Sequence, residues 1–226
     1  MFVFYDTETS GLDTDFSQIL QISLVFTDAD LNVVATKKLE CRGSPWVLPA
    51  PGALLTTGFT PEKLKKAPLS HYEMMQEVAK WIENQHWPVT FAGYNTLSYD
   101  EPLLAQNFYQ NLLDPNITTA GNPFNDIKNG RADILNLVRA VSVYMPGLLT
   151  LNTKTEKGNV KMALTTVAEQ NGVKLGKGEA HDALNDIIAT IGVAKLIKHG
   201  APLLWDQMMA LTTVAGVEKF LAEHEI

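Results

Sequence analysis

Asp6 and Glu8 lie two residues apart in the run FVFYDTETSG, and in an extended strand that separation aims both side chains at one face. Phe2 and Phe4 share the face, so an apolar row ends in two carboxylates. Withdrawing carboxylates from water is costly unless something positive compensates them, and no Lys or Arg precedes Lys37. A bound cation resolves the problem. The alternative is a strand that stops at Asp6 and a solvated DTETSG turn.

Two further segments carry reactive side chains. In GYNTLSYDEPLL, Ser98 and Glu101 fit a capping box, with Pro102 tolerable in the first turn. That places Asp100 on the first turn of a helix directly after a buried strand, where backbone N–H groups favour an anion. In HDALNDI, His181 precedes Asp186 by five positions, a spacing that does not stack two residues on one helix face. His181 therefore belongs at or before the helix entrance, with Asp186 one turn in. Each segment also has a plainer meaning: a helix-entry Asp for the first, and a surface His with Asp182 as N-cap for the second. Taken together they suit a hard divalent ion, which prefers oxygen ligands and combines a few carboxylates with water and substrate phosphates.

The elements that must position these residues are readable from periodicity. FVFYDTE, ILQISLVFTD and NVVATKKLEC are β-rich runs separated by turn-prone segments, the pattern of an antiparallel meander. Met74, Val78, Trp81 and Ile82 fall at helical spacing within residues 70–85, before a short strand over 89–92. Helices are expected over about 132–144, 163–171 and 182–198, the last two stopped by Gly172 and Gly200. Residues 114–130 and the LNTKTEKGNVK segment read as surface loops. Residues 1–200 are expected to form the main domain, and 201–226 a helical extension packed on it. In that tail Leu203, Leu204, Met208, Leu211, Val217 and Phe220 cover the core or a partner chain.

Composition narrows the classes. Of 226 residues, 46% are hydrophobic and 19% charged, which excludes disorder and supports one large α/β unit. No apolar run approaches a membrane span, and carboxylates interrupt the start before a secretory segment could form. Cys41 is the sole cysteine, a small hydrophobe suited to a reducing cytoplasm. A net charge of −7 argues against gripping long nucleic acid by bulk attraction, so any such contact is local or metal-mediated. Lys63, Lys65 and Lys66, and Lys154, Lys157 and Lys161, either track a phosphate backbone or are solvated loops.

In this order, the motifs DTETSGLD, GYNTLSYD and HDALNDI resemble the DEDD superfamily of 3′→5′ exonucleases, in the subtype that carries His, over Phe2 to about Lys198. The stretches LPAPGALLTTGFTPEKL, FYQNLLDP, RADILNLVRA and AHDALNDIIATIGVAKLI are similar to the nuclease domain of bacterial exodeoxyribonuclease I. The resemblance implies a ribonuclease H-like α/β fold, a mixed five-stranded sheet flanked by helices. It implies two Mg²⁺ ions, replaceable by Mn²⁺, held by Asp6, Glu8, Asp100 and Asp186. His181 would be the general base, and 5′-nucleoside monophosphates would leave from single-stranded 3′ ends, DNA before RNA. Glu8, Thr9 and Leu12 would meet the terminal nucleotide, though Thr9 and Leu12 are equally readable as a turn residue and a minor core residue. Ala163 departs from the pattern, standing where a basic substrate contact is expected. A short-RNA exonuclease and a non-catalytic nucleic-acid-binding module are the alternatives.

Overall fold

The computed structural model describes residues 1–85, 88–120, 128–174 and 182–224. Three strands open the chain: β1 (Phe2–Thr9), β2 (Ile19–Thr27) and β3 (Val33–Glu40). They form the expected antiparallel meander, with Phe4 opposite Val25 and Asp6 opposite Ser23. Two short helices follow, α1 (Pro51–Thr57) and α2 (Pro61–Lys66), and then α3 (His71–Glu83). A capping box starts α3: Ser70 accepts from the Glu73 amide while the Glu73 carboxylate accepts from the Ser70 amide.

β4 (Thr90–Gly93) runs parallel to β1, and a 3₁₀ turn (Thr96–Ser98) leads into α4 (Asp100–Gln110). The capping box expected at Ser98 and Glu101 is not formed. The Ser98 hydroxyl instead donates to the Asn95 carbonyl and side chain at 3.1 and 2.9 Å, while Glu101 receives Arg131 at 2.7 Å. The residue at the α4 entrance is Tyr99, which makes no side-chain cap.

β5 (Gly130–Asp133) pairs in parallel with β4 and completes a five-stranded sheet of order β3-β2-β1-β4-β5. This corrects the sequence reading of 132–144 as all helix, since Ala132 and Asp133 are strand. α5 (Ile134–Tyr144) begins one residue later, with the Asp133 carboxylate accepting from the Leu135 amide as its N-cap. The chain then forms α6 (Leu164–Gln170), α7 (Ala183–Gly200), α8 (Pro202–Ala210) and α9 (Val214–His224).

Alternation along β1 splits the interior into two layers. Phe2 and Phe4 pack with Val25, Ala92 and the apolar faces of α5, α6 and α7. Val3 and Tyr5 face the other way, onto Met74, Val78 and Ile82 of α3 and Leu103, Leu104 and Phe108 of α4. The tail divides. Trp205 of α8 is buried edge-on against Phe2, and Leu204 and Met208 lean on the same core. Leu203 stands in solvent, and α9 buries none of its side chains. Between α8 and α9 the Thr212 carbonyl accepts from the Arg131 amide at 2.8 Å, covering the outer side of β5. Among the described residues no single helix is long and apolar enough to cross a membrane.

Candidate metal centre

The parallel strands β1, β4 and β5 all end on one side of the sheet, at Thr9, Gly93 and Asp133. In open α/β sheets that carboxyl-terminal side is where ligands bind. There β1 presents Asp6 and Glu8 on the face turned to α7. The start of α7 is fixed by Asp182, which accepts from the Leu184 amide at 3.0 Å and from Lys38 of β3 at 2.7 Å. Gln21 of β2 adds a bond from the Ala183 amide at 3.3 Å. One turn further on, Asp186 faces β1, and carboxylate oxygens of Asp6, Glu8 and Asp186 lie within 4.8 Å of one another.

Asp100 reaches the same neighbourhood from the other layer. It is buried at the first turn of α4 and accepts a 2.5 Å hydrogen bond from the Thr7 hydroxyl. Thr7 is the β1 residue between Asp6 and Glu8, so its side chain points away from theirs and toward α4. The structure thus brings Asp6, Glu8 and Asp186 together as one oxygen cluster and sets Asp100 beside it, behind the strand.

Electrostatics set the cluster apart from the other carboxylates. Burial, reinforced by repulsion from Asp100, Asp186 and Glu8, holds the Asp6 carboxyl well above the usual carboxylate range. Burial and then Asp186 and Asp100 push Glu8 up to about 8, with Lys38 pulling slightly the other way. Asp100 is raised to about 6 by burial, offset in part by the Thr7 bond. No Lys or Arg is ion-paired to Asp6, Glu8 or Asp100 among the described residues. Three carboxylates that cannot all ionise without a positive partner, with oxygen as their only donor atom, fit a hard divalent ion.

The remaining sequence-predicted residues are placed as follows. Thr9 is buried, its hydroxyl donating to the Gly11 carbonyl at 2.8 Å and lying 2.7 Å from the Tyr99 hydroxyl. Leu12 is 87% exposed, on the rim of an open groove of about 650 Å³ that Phe16, Trp46 and Leu48 also line. Ala163 caps α6 without a side-chain bond. His181 lies outside the described residues. Sequence reasoning missed Thr7, Tyr99 and Asp133. Asp133 was recoverable, because an Asp directly before the apolar run ILNLV is an N-cap pattern.

The chain is similar to known proteins in both sequence and structure. A family model described as Exonuclease, of the RNase T type, matches residues 3–194. An exodeoxyribonuclease I of Buchnera aphidicola, from the host Schizaphis graminum, is 33% identical over 226 residues, 97% of this chain and 45% of the relative. Escherichia coli exonuclease I in complex with a dT13 oligonucleotide superposes with a TM-score of 0.86 at 26% identity, covering 96% of this chain and 45% of that one. The zinc-bound form of the E. coli enzyme with single-stranded DNA gives 0.78 at 28% identity, covering 91% and 42%. By this likeness the chain's mixed five-stranded sheet and flanking helices have the ribonuclease H-like fold. The chain spans about half the length of the relatives it matches.

Proposed function

The chain belongs to the RNase T-type exonuclease family, and from that membership we propose that it hydrolyses single-stranded DNA from the 3′ end, releasing 5′-nucleoside monophosphates. The observation that carries this reading is the convergence of Asp6, Glu8 and Asp186 within 4.8 Å, from segments about 180 residues apart in the chain. The nucleic acids bound by the E. coli relatives support the choice of substrate.

In this reading Asp6, Glu8 and Asp186 hold Mg²⁺, with Asp100 completing a two-ion site directly or through water. Bound there, the ions supply activation of water and neutralisation of charge on the departing 3′ oxygen. Asp6, whose carboxyl is repelled by all three other carboxylates, would be a shared holder of the cations. Glu8, its carboxyl pushed up to about 8 by burial and by Asp186 and Asp100, would be ionised when it holds a cation. His181 accepts the proton of the attacking water at an imidazole nitrogen, its ordinary pKa of about 6.5 leaving it neutral at physiological pH. Glu8, Thr9 and Leu12 meet the terminal nucleotide. Thr9 does so through its backbone while its hydroxyl stays tied to Gly11, and exposed Leu12 is free to press on a base. Residues 1–200 form the nuclease unit and 201–226 its helical extension, anchored through Trp205. The cytoplasm is the setting, where Cys41, its thiol pushed up to about 12 by burial, stays reduced.

Incubation of 3′-labelled oligomers of single-stranded and duplex DNA and of RNA with Mg²⁺ tests this. Mononucleotide release from single-stranded DNA, abolished by Asp6→Ala, is expected. Faster release from matched RNA would move the assignment to short RNA, and no release from any substrate would overturn it.

A further inference from the structure

Asp6, Glu8 and Asp186 lie within regular elements, whereas Asp100 is the first residue of α4 and takes its place from the turn before it. Asp6 and Glu8 sit on β1 in antiparallel register with Ser23 and Gln21 of β2, and Asp186 on the first turns of the 18-residue α7. Asp100 follows residues 94–99, in which Asn95 is left-handed with φ of 65° and Thr96–Ser98 form the 3₁₀ turn. Gly93 allows this turn to close on β1, since a Cβ there would meet Thr96 Cγ2 at 2.0 Å and the Tyr5 carbonyl at 2.8 Å. The helix that follows has no side-chain cap. Something other than helix geometry must therefore hold the turn.

Two side chains do so, one at each end. At the start, the buried Asp133 carboxylate, at the end of β5, accepts from the Asn95 amide at 2.9 Å and the Leu97 amide at 3.4 Å. The same Asp133 oxygen that holds Asn95 also accepts from Leu135 at 2.9 Å, so the turn is referenced to the sheet and to α5 through one group. At the far end the Tyr99 hydroxyl donates to the Gly11 carbonyl at 2.7 Å and lies 2.7 Å from the Thr9 hydroxyl. This ties the residue before Asp100 to the end of the strand that carries Asp6 and Glu8. Between these anchors Asp100 makes its bond to Thr7.

We propose that Asp133 and Tyr99 are positioning residues, a two-point clasp that fixes Asp100 against the Asp6–Glu8–Asp186 cluster. The proposal rests on the reading of Asp100 as a metal-site carboxylate. In this role each acts through the turn, not on the ion or the substrate. Outer groups that orient a ligand change metal affinity or activity by about 10- to 100-fold when removed, and a displacement of about 1 Å at a reacting centre has an effect of similar size.

The cleanest variant is Tyr99→Phe, which removes one oxygen and keeps the ring; Asp133→Asn keeps an acceptor for Asn95 and Leu135 but sets an amide N–H against Leu97. For each, Mn²⁺ binding to the metal-free protein is followed by calorimetry, and kcat and KM on a single-stranded DNA oligomer are measured beside the melting temperature. Weaker Mn²⁺ binding and a kcat lowered about 10-fold or more, with KM within about twofold of wild type, are expected. Because both residues hold one turn, the double variant should be little worse than the worse single one. Wild-type Mn²⁺ affinity and kcat in both variants, whatever their melting temperatures, would overturn the clasp. If the wild-type protein releases no nucleotide, the exonuclease reading fails, yet the Mn²⁺ isotherms still decide the clasp.

Discussion

The two faces of β1 begin alike and end differently. Phe2 and Phe4 on one face, Val3 and Tyr5 on the other, are buried in separate apolar layers. Past Tyr5 the first face ends in Asp6 and Glu8, the second in Thr7 and Thr9. The carboxylates face one another and Asp186, where they repel in the absence of a cation. The hydroxyls face the α4 side, where Thr7 donates to Asp100 and Thr9 donates to the Gly11 carbonyl beside the Tyr99 hydroxyl. One strand thus supplies charge on one side and alignment on the other. Alternation alone keeps the two roles apart while leaving them one residue from each other.

If that division of labour is right, damage to the carboxylate face should abolish chemistry while damage to the hydroxyl face only misaligns it. Asp6→Asn, nearly isosteric, should lower kcat by about 10³-fold or more, because removal of a central reactive group removes transition-state stabilisation that no neighbour replaces. A residual rate above a tenth of wild type, measured on a labelled DNA oligomer, would break the comparison. Thr7→Val should cost about 10- to 100-fold in activity or metal affinity by releasing Asp100. Equal losses in the two variants would show that the faces are not distinct in function.

The acidic face also predicts a pH response in stability. The folded metal-free protein holds the Asp6, Glu8 and Asp100 protons more tightly than the unfolded chain, Glu8 to about pH 8 and Asp100 to about pH 6. In that window the native state binds more protons, so stability falls as pH rises from roughly 4 to 8. The melting temperature of the metal-free protein should decline over this range, and millimolar Mg²⁺ should restore it most at the alkaline end, by binding only the folded state. A metal-free melting curve that does not move between pH 5 and 8 would contradict the repulsion. The smallest effect expected is for Lys38→Ala. Its ion pair with Asp182 is partly exposed, so loss of less than about 1 kcal/mol is expected by denaturant unfolding.

Legibility in the sequence followed the same division. Asp6 and Glu8 were readable because a period of two in an apolar run announces a strand and its face. The meander before residue 41 was readable for the same reason, and α3 from the helical spacing of Met74, Val78, Trp81 and Ile82. Thr7 was silent, since a hydroxyl in a β-branched side chain is as natural in a strand as Val. β5 was missed because GRAD has four residues, one of them exposed, and no apolar alternation; its buried setting comes from β4 and α5. The SYDE pattern gave a capping box where none forms, because the turn before it captures the Ser98 hydroxyl and Arg131 captures Glu101. Asp186 was assigned to a helix correctly, but its meeting with Asp6 depends on how α7 docks, which local sequence does not encode.

The Arg131–Thr212 bond has a bearing beyond the fold of the tail. A sheet margin with free amides and carbonyls is a template on which another extended chain can grow. At the β5 margin the Arg131 amide is already taken by the Thr212 carbonyl, so an incoming strand finds that donor spent. The opposite margin, β3, carries Lys37 and Lys38, which are ion-paired with Glu77 and Asp182. The segment between α8 and α9 occupies a position on the β5 margin where another strand would otherwise pair.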